Sequence, residues 1–226
     1  MKLHVEALFT HDEKARIRCV NEPNGAKAPR LFLSRTAEGN LWRFRSDLPA
    51  QLVKEMERLC IDEPRIEDLR RAPRHRESYI ALLQEQAPVQ NVWAGPAYCF
   101  GEASARTSAT IVSIRSGNSD VLRSGFEAWI DDVTDRRPFF AVLQAGRAVS
   151  LCCSVRITSE AHEAGVETLH AFRGRGYAPD VVSSWARAVR LLGCLPLYST
   201  SWDNTASQRV AQKLALVAYG ADFHIS

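Results

Sequence analysis

The six residues Arg173-Gly174-Arg175-Gly176-Tyr177-Ala178 have the composition of an anion-binding turn. They follow an alternating apolar segment, residues 165–172, and precede an amphipathic stretch from about Asp180 to Leu192 that Gly193 ends. Two glycines and a small residue between a strand and a helix leave several backbone N–H groups unhindered, and the helix adds the positive end of its dipole. The turn therefore predicts a site for a phosphate-type anion.

Two common phosphate-binding patterns do not fit this turn. The chain contains no Gly-x4-Gly-Lys-Ser/Thr string. A dinucleotide fingerprint would need a glycine or alanine where Pro179 stands, and an acidic residue among residues 193–199, which contain none. A third pattern, Arg/Gln-x-x-Gly-x-Gly/Ala, is matched by Arg173, Gly176 and Ala178. The simpler alternative is a glycine-rich turn with two exposed arginines.

The third pattern is the pyrophosphate loop of the GNAT superfamily of acyl-CoA-dependent N-acyltransferases, which the chain resembles from here onward. A second motif supports the resemblance: Asn204 opens a helix after the strand-like run 195–201. That helix leaves through Lys213-Leu214-Ala215-Leu216, where the family usually has a glycine and an aromatic residue. By itself Asn204 is also explained as a helix N-cap.

Hydrophobic periodicity upstream predicts the elements that must position this turn. Strands are predicted over residues 109–114, 139–143, 148–157 and 159–172, and a helix from Asp120 to Asp132. Residues 106–226 therefore predict an α/β (α+β) domain, and the resemblance implies a mixed, mainly antiparallel central sheet flanked by helices.

Residues 1–105 predict an N-terminal α/β extension of unknown role, packed on that domain. Strands are expected over residues 31–35, 40–45 and 93–100. A helix is expected from Pro49 to about Cys60 and a shorter one over residues 79–84. Proline and arginine crowd residues 63–76, which predicts a solvated connector with a local basic patch.

Composition limits the class of protein. The formal net charge of +3 is too small to argue for nucleic acid. No apolar run reaches membrane-spanning length and the first residues lack a signal-peptide core, so we expect no membrane partner and a cytoplasmic location. None of the six cysteines forms a C-x-x-C pair, which predicts free thiols and no metal site.

The resemblance implies acetyl-CoA as co-substrate. Backbone groups of the fourth strand of the domain, at Val166, Thr168 and Leu169, are expected to pair with the pantetheine amides. The turn Arg173, Gly174, Arg175, Gly176, Tyr177 and Ala178 is expected to hold the pyrophosphate. Asn204 and Ser207 are expected to contribute polar contacts to the same ligand.

Transfer to an amine needs a base, because amines are protonated at neutral pH. Glu163 and Glu167 are the candidates, and their spacing places them on one face of the strand unless a bulge at Gly165 intervenes. Glu163 is favoured because its distance before the turn matches the usual position of a base in the family. Both glutamates are equally explained as exposed strand residues that balance nearby charge, and His162 and His170 are weaker candidates.

A general acid is harder to assign. The tyrosine that many GNAT enzymes place seven residues after the helix-opening asparagine is Ala211 here. Tyr198, Tyr98 and Ser207 are the alternatives, or the thiolate leaves without a dedicated acid, which its ordinary acidity allows. Tyr198 is equally explained as a core aromatic.

The sequence as a whole predicts an N-acetyltransferase of GNAT type. It would move the acetyl group of acetyl-CoA to a primary amine, on a small molecule or a protein, by direct attack in a ternary complex. The alternative is a non-catalytic acyl-CoA-binding or regulatory module, which the missing tyrosine favours. No motif identifies the acceptor, and a homodimer is compatible with the resemblance.

Overall fold

The computed structural model describes residues 1–101 and 109–226. The chain divides into two compact units. The first unit comprises Met1–Tyr98, Ser199–Thr205 and Ala218–Ser226, and the second comprises Cys99–Tyr198 and Ala206–Val217. The predicted boundary between residues 105 and 106 lies outside the described residues.

Both units contain helices and strands. In chain order the elements are α1 (Lys2–Leu8), β1 (Phe9–His11), β2 (Ile17–Val20), β3 (Leu31–Arg35), β4 (Asn40–Phe44), α2 (Ala50–Asp62), α3 (Arg76–Gln86), β5 (Val92–Cys99), β6 (Ile111–Ser113), β7 (Phe139–Gln144), β8 (Arg147–Ile157), β9 (Ala161–Thr168), α4 (Tyr177–Leu191), β10 (Leu195–Ser199), α5 (Thr205–Lys213) and β11 (Val217–Ile225). Three 3₁₀ turns lie at Ser116–Leu122, Glu127–Trp129 and His170–Phe172.

The first unit is a sheet with strand order β4-β3-β11-β5 and helices on both faces. Strand β3 pairs antiparallel with both β4 and β11. Its side chains alternate: Leu31 and Leu33 pack with α2 and α3, whereas Phe32 packs with α1. Hydrophobic periodicity did not predict α1, β1 and β2, because elements of seven, three and four residues are too short for a periodic signal.

The predicted solvated connector of residues 63–76 is wrong at its anchoring positions. Glu63 is buried, forms an ion pair with Arg35 at 3.8 Å, and accepts hydrogen bonds from the backbone N–H groups of Arg74 and His75. Ile66 is buried as well. A buried guanidinium needs a counter-charge, so Arg35 holds this connector on the unit.

The second unit has strand order β10-β9-β8-β7-β6. Strands β6 to β9 pair antiparallel in succession, and β9 pairs with β10 in parallel. Helix α4 packs on β7, β8 and β9 through Val181, Val182, Trp185 and Val189. The predicted fold class, a mixed and mainly antiparallel sheet flanked by helices, is confirmed.

The helix predicted from Asp120 to Asp132 is wrong, because two 3₁₀ turns occupy this segment. Gly125 separates them with a φ of +121°, and a β-carbon there would lie 2.8 Å from Cδ2 of Leu169. The apolar residues are nevertheless buried as their spacing suggested, with Leu122 and Phe126 in a core shared with β7 and β8. Burial therefore followed the pattern of hydrophobic residues, while a glycine decided the backbone.

All six cysteines are free thiols, as predicted. No helix in residues 1–101 or 109–226 has both the length and the apolar character needed to cross a membrane.

Candidate active site

Strand β9 leads into the glycine turn, and the turn opens α4. Gly174 and Gly176 have φ angles of +79° and +88°, in the left-handed region that glycine adopts without strain. Helix α4 begins at Tyr177 rather than near Asp180, so the turn lies directly at its N-terminus. Gly193 follows the end of the helix, as predicted.

The turn faces open space and offers backbone donors. A β-carbon built on Gly174 or Gly176 would meet no heavy atom within 4 Å. The first N–H groups of an α-helix have no acceptor within the helix, which leaves those of Gly176, Tyr177 and Ala178 directed outward. Pro179 occupies a position where a missing N–H costs nothing. This arrangement fits a phosphate-type anion.

Arginine side chains surround the turn without entering it. Nε of Arg173 donates to the carbonyl oxygen of Thr168 at 3.3 Å, and Nη2 of Arg175 donates to that of Ala171 at 3.3 Å. The guanidinium groups of Arg175 and Arg147 lie 5.1 and 5.5 Å from the ring centre of Phe172. Sequence analysis missed Arg147, because β8 brings it to the turn from 26 residues upstream of Arg173.

The edge of β9 that faces β10 extends beyond their shared ladder. The parallel ladder covers three residue pairs and ends at Leu197–Glu163, whereas β9 continues to Thr168. The N–H of Leu169 donates toward β8, to the carbonyl oxygen of Val149. The backbone groups of Val166 and Thr168 therefore point to the opposite edge, where an extended ligand can pair with them. The N–H of Leu169 is directed away from that edge.

The two glutamates of β9 share one face but have different surroundings. Glu163 is 2% exposed and lies opposite Arg156 in the antiparallel ladder. Glu167 is exposed, and its Oε2 accepts a 2.7 Å hydrogen bond from Nε1 of Trp129. Because they are four residues apart, the two positions are separated by about 13 Å along the strand. The pair therefore does not share a proton.

Gly165 lies between the two glutamates, and the side chain of Val155 covers it. The bulge considered at Gly165 is instead on β8, where Val155 is the extra residue between Ser154 and Arg156. A β-carbon on Gly165 would lie 2.2 Å from Cγ1 of Val155. An apolar side chain thus fills the space between the carboxylates.

His162 lies on the opposite face of β9 in a buried hydrogen-bond network. Its Nδ1 is 2.8 Å from Oγ of Ser154, which also accepts a 3.0 Å hydrogen bond from Nε1 of Trp185. Burial lowers the pKa of His162 below its usual 6.5. The hydroxyl of Ser154 therefore bridges His162 and Trp185, which ties β8 and β9 to α4. His170 is exposed, in the 3₁₀ turn after β9.

The candidate acids lie at hydrogen-bonded or buried positions. Tyr198 is 1% exposed, and its hydroxyl is 2.7 Å from Oγ of Ser207 at the start of α5. Ala211 is fully buried on the same helix. Burial raises the pKa of Tyr98, which makes this phenol a weaker proton donor. In the first unit, Asn204 directly precedes α5, the position expected of an N-cap.

Most of the second unit lies in a segment that matches a known family. A family model described as GNAT acetyltransferase matches residues 117–220, from the 3₁₀ turns through the glycine turn to β11. Over this part of its length, the chain matches the GNAT acetyltransferase family. The matched segment includes Glu163, Glu167, the turn and α5, whereas the candidate acid Tyr98 lies outside it.

Solved structures of GNAT proteins share the fold at low sequence identity. A GCN5-related N-acetyltransferase from Sphaerobacter thermophilus is 14% identical, with a TM-score of 0.52 over 92% of this chain and 79% of that one. A GCN5-related N-acetyltransferase-like protein from Streptococcus suis 89/1591 is 15% identical, with a TM-score of 0.51 over 88% and 85%. A GNAT family protein from Novosphingobium aromaticivorans DSM 12444 is 17% identical, with a TM-score of 0.51.

Coverage of that last structure is 61% of this chain and 65% of its own, so the chain spans a little under two thirds of its length. Comparison with curated proteins gave no match. At these identities the structural likeness concerns the fold, and the acceptor has to be argued from the site itself. Within the described ranges, no group of three or more His, Cys, Asp or Glu side chains is placed to hold a metal ion.

Proposed function

We propose that this protein is an N-acetyltransferase that moves the acetyl group of acetyl-CoA to a primary amine by direct attack. The observation that carries the proposal is the glycine turn, which faces open space at the N-terminus of α4 and follows a strand whose free edge ends beside it. The GNAT match over residues 117–220 supports the same reading. A strand edge followed by an anion-binding turn suits a ligand with amides at one end and phosphates at the other.

Backbone groups supply the donor site. The N–H groups of Gly176, Tyr177 and Ala178 would hold the pyrophosphate, and Val166 and Thr168 would pair with the pantetheine amides. Arg173 and Arg175 can turn outward to the phosphates, since both are exposed and the hydrogen bond that each donates to a backbone carbonyl is long, at 3.3 Å. Acetyl-CoA supplies an acetyl group activated as a thioester, so the protein has mainly to orient it and to manage protons.

Glu163 is our candidate for the general base. It is buried on the face of β9 opposite α4, and it lies at the last rung of the ladder with β10, where the free edge begins. A carboxylate at this position can take a proton from the ammonium group, directly or through a water molecule.

The candidate acid is the pair of hydroxyl groups of Tyr198 and Ser207, whose oxygen atoms are 2.7 Å apart. Protonation of the leaving thiolate needs less catalytic help than deprotonation of the ammonium group, because a thiol of ordinary pKa leaves without a strong acid. We therefore expect Glu163 to contribute far more to kcat than Tyr198.

The test is thiol release by the full-length protein, with acetyl-CoA and a broad panel of small amines and lysine-containing peptides. Release with at least one amine is expected, and Glu163→Gln should lower kcat by about 10²–10⁴-fold. Binding of acetyl-CoA with no turnover on any amine would leave the binding-module alternative instead.

A valine at Gly176 tests the donor site separately. Gly176→Val should abolish acetyl-CoA binding measured by calorimetry, because the side chain would enter the space above the turn. Gly193→Val is the matched control: its φ of +78° and its open surroundings are the same, but it follows the other end of α4. Normal binding by Gly176→Val, or equal loss in both variants, would refute the site.

A further inference from the structure

The Trp129 indole is fixed on three sides against the face of β9 that carries Glu163. Its Nε1 donates to Oε2 of Glu167 at 2.7 Å, and its ring meets that of Phe139 edge to face at 6.3 Å. The guanidinium of Arg136 lies 5.3 Å from the ring centre and is itself bonded to Asp132 at 2.8 Å.

This fixing matters because the surrounding segment has little regular structure. Residues 116–133 consist of 3₁₀ turns interrupted at Gly125, so no continuous helix determines where Trp129 lies. The hydrogen bond to Glu167 is the polar link from the Trp129 side chain to β9. Without it, Phe139 and Arg136 would still contact the indole, but no hydrogen bond would fix the ring relative to β9.

We propose that Glu167 and Trp129 form a clamp that positions one wall of the acceptor site, and that Glu167 is a positioning residue rather than a second base. This rests on the proposed function, in which the amine approaches the β9 face that carries Glu163. Glu167 is exposed, lies about 13 Å along the strand from Glu163, and already accepts the indole proton. The covering of Gly165 by Val155 separates the two carboxylates.

The clamp gives the acceptor site a defined chemistry. The positioned indole ring offers an aromatic surface to a primary amine, which is a cation before it loses its proton, while the carboxylate of Glu167 is used to hold the ring. The class of acceptor that fits is therefore an amine whose ammonium group is attached to an apolar or aromatic body.

Conservative and disruptive variants of Glu167 separate the two roles. A glutamine retains an oxygen that accepts the indole N–H but cannot act as a base. We therefore expect Glu167→Gln to keep kcat and the KM for the amine within about threefold, since its hydrogen bond to the indole is neutral but intact. Glu167→Ala and Trp129→Phe should each raise that KM about tenfold, the factor that 1.4 kcal/mol represents, with little change in kcat.

The double variant tests whether the two residues act as one unit. Combining Trp129→Phe with Glu167→Ala should raise the KM no further than either change alone, because both remove the same hydrogen bond. The KM for acetyl-CoA should stay unchanged in all of these variants. Loss of kcat in Glu167→Gln comparable to that in Glu163→Gln would overturn the assignment, as would additive effects in the double variant.

The hydrogen bond can be observed without any substrate. In a nitrogen-15 spectrum, the indole resonance that is missing from Trp129→Phe identifies Trp129. That resonance should shift markedly in Glu167→Ala and only slightly in Glu167→Gln, whereas an unshifted resonance in Glu167→Ala would overturn the clamp. Because this measurement needs no turnover, an inactive protein with the expected shifts would refute the proposed function and not the clamp.

Discussion

Replacing Gly165 with alanine tests the packing that separates the two glutamates of β9. The φ angle of Gly165 is not in the left-handed region, so the backbone accepts an alanine without strain. The obstacle is Val155, whose Cγ1 would lie 2.2 Å from the new β-carbon. Carbon atoms prefer a separation of about 3.5–4.0 Å, so either the valine rotates or the strands move apart.

The expected cost follows from this overlap. Overpacking of a well-packed interior costs about 1–3 kcal/mol, and in a protein of this size each kcal/mol lowers Tm by about 2–4 °C. Gly165→Ala should therefore lower Tm by about 2–12 °C. In a Val155→Ala background the nearest remaining atom is Cβ of residue 155, at 3.4 Å, which is an ordinary contact.

The measurement is a double-mutant cycle by thermal or urea unfolding. Gly165→Ala should be costly with Val155 present. It should be neutral, or stabilising by about 0.4–1 kcal/mol through a less flexible unfolded chain, once Val155 is alanine. Equal costs in both backgrounds would show that Val155 is not the obstacle and would refute the packing described for this face.

Three further outcomes are expected. Gly95→Ala should destabilise the protein by about 3 kcal/mol in urea unfolding, because its β-carbon would lie 1.8 Å from the carbonyl oxygen of Thr200. The control is Gly117→Ala, whose β-carbon would meet no heavy atom within 4 Å and which should be close to neutral. Burial lowers the pKa of His162 from 6.5, so the unfolded chain takes up a proton at higher pH than the folded chain. The contribution of neutral His162 to the free energy of unfolding is then complete above pH 6.5 and is lost as the pH falls through the lowered pKa. His162→Gln should flatten this pH dependence in unfolding titrations. An unchanged slope of unfolding free energy against pH would exclude His162 as its source. Tyr198→Phe should lower the free energy of unfolding by about 1 kcal/mol through the lost hydrogen bond to Ser207. Its kcat should change by less than about threefold, since the thiolate leaves unaided. A loss of kcat as large as that in Glu163→Gln would show that Tyr198 is a required acid.

The donor side of the site was predictable from the sequence because its information is local. Gly174 and Gly176 specify a left-handed turn, and the amphipathic residues after them specify a helix, so the anion site follows from neighbours in the chain. The same holds for Asn204, which directly precedes α5. The position of helix α4 was predicted three residues too late, because the turn residues Tyr177 and Ala178 are themselves helical.

The local pattern of residue types gave wrong predictions for two segments, residues 120–132 and residues 63–76. Residues 120–132 have helical spacing of apolar side chains, but Gly125 interrupts the segment with a φ of +121°, which residues with a side chain rarely adopt, and it packs against Leu169. The connector at residues 63–76 looked solvated, because nothing in its composition shows that Arg35, far upstream, pairs with Glu63. In both cases the deciding contact is distant in sequence.

By itself, the sequence determined the family-like turn, the order of the strands and helices from β7 to α5, and the two carboxylates on one strand. The tertiary structure alone decided how those carboxylates differ. Antiparallel pairing of β8 with β9 places a bulge at Val155 over Gly165, and the 3₁₀ segment brings the indole of Trp129 to Glu167 across 38 residues of chain. Tertiary packing buries Glu163 and brings Trp129 into hydrogen-bond distance of Glu167. The spacing of residues along one strand cannot predict these contacts, because the partners lie on other elements.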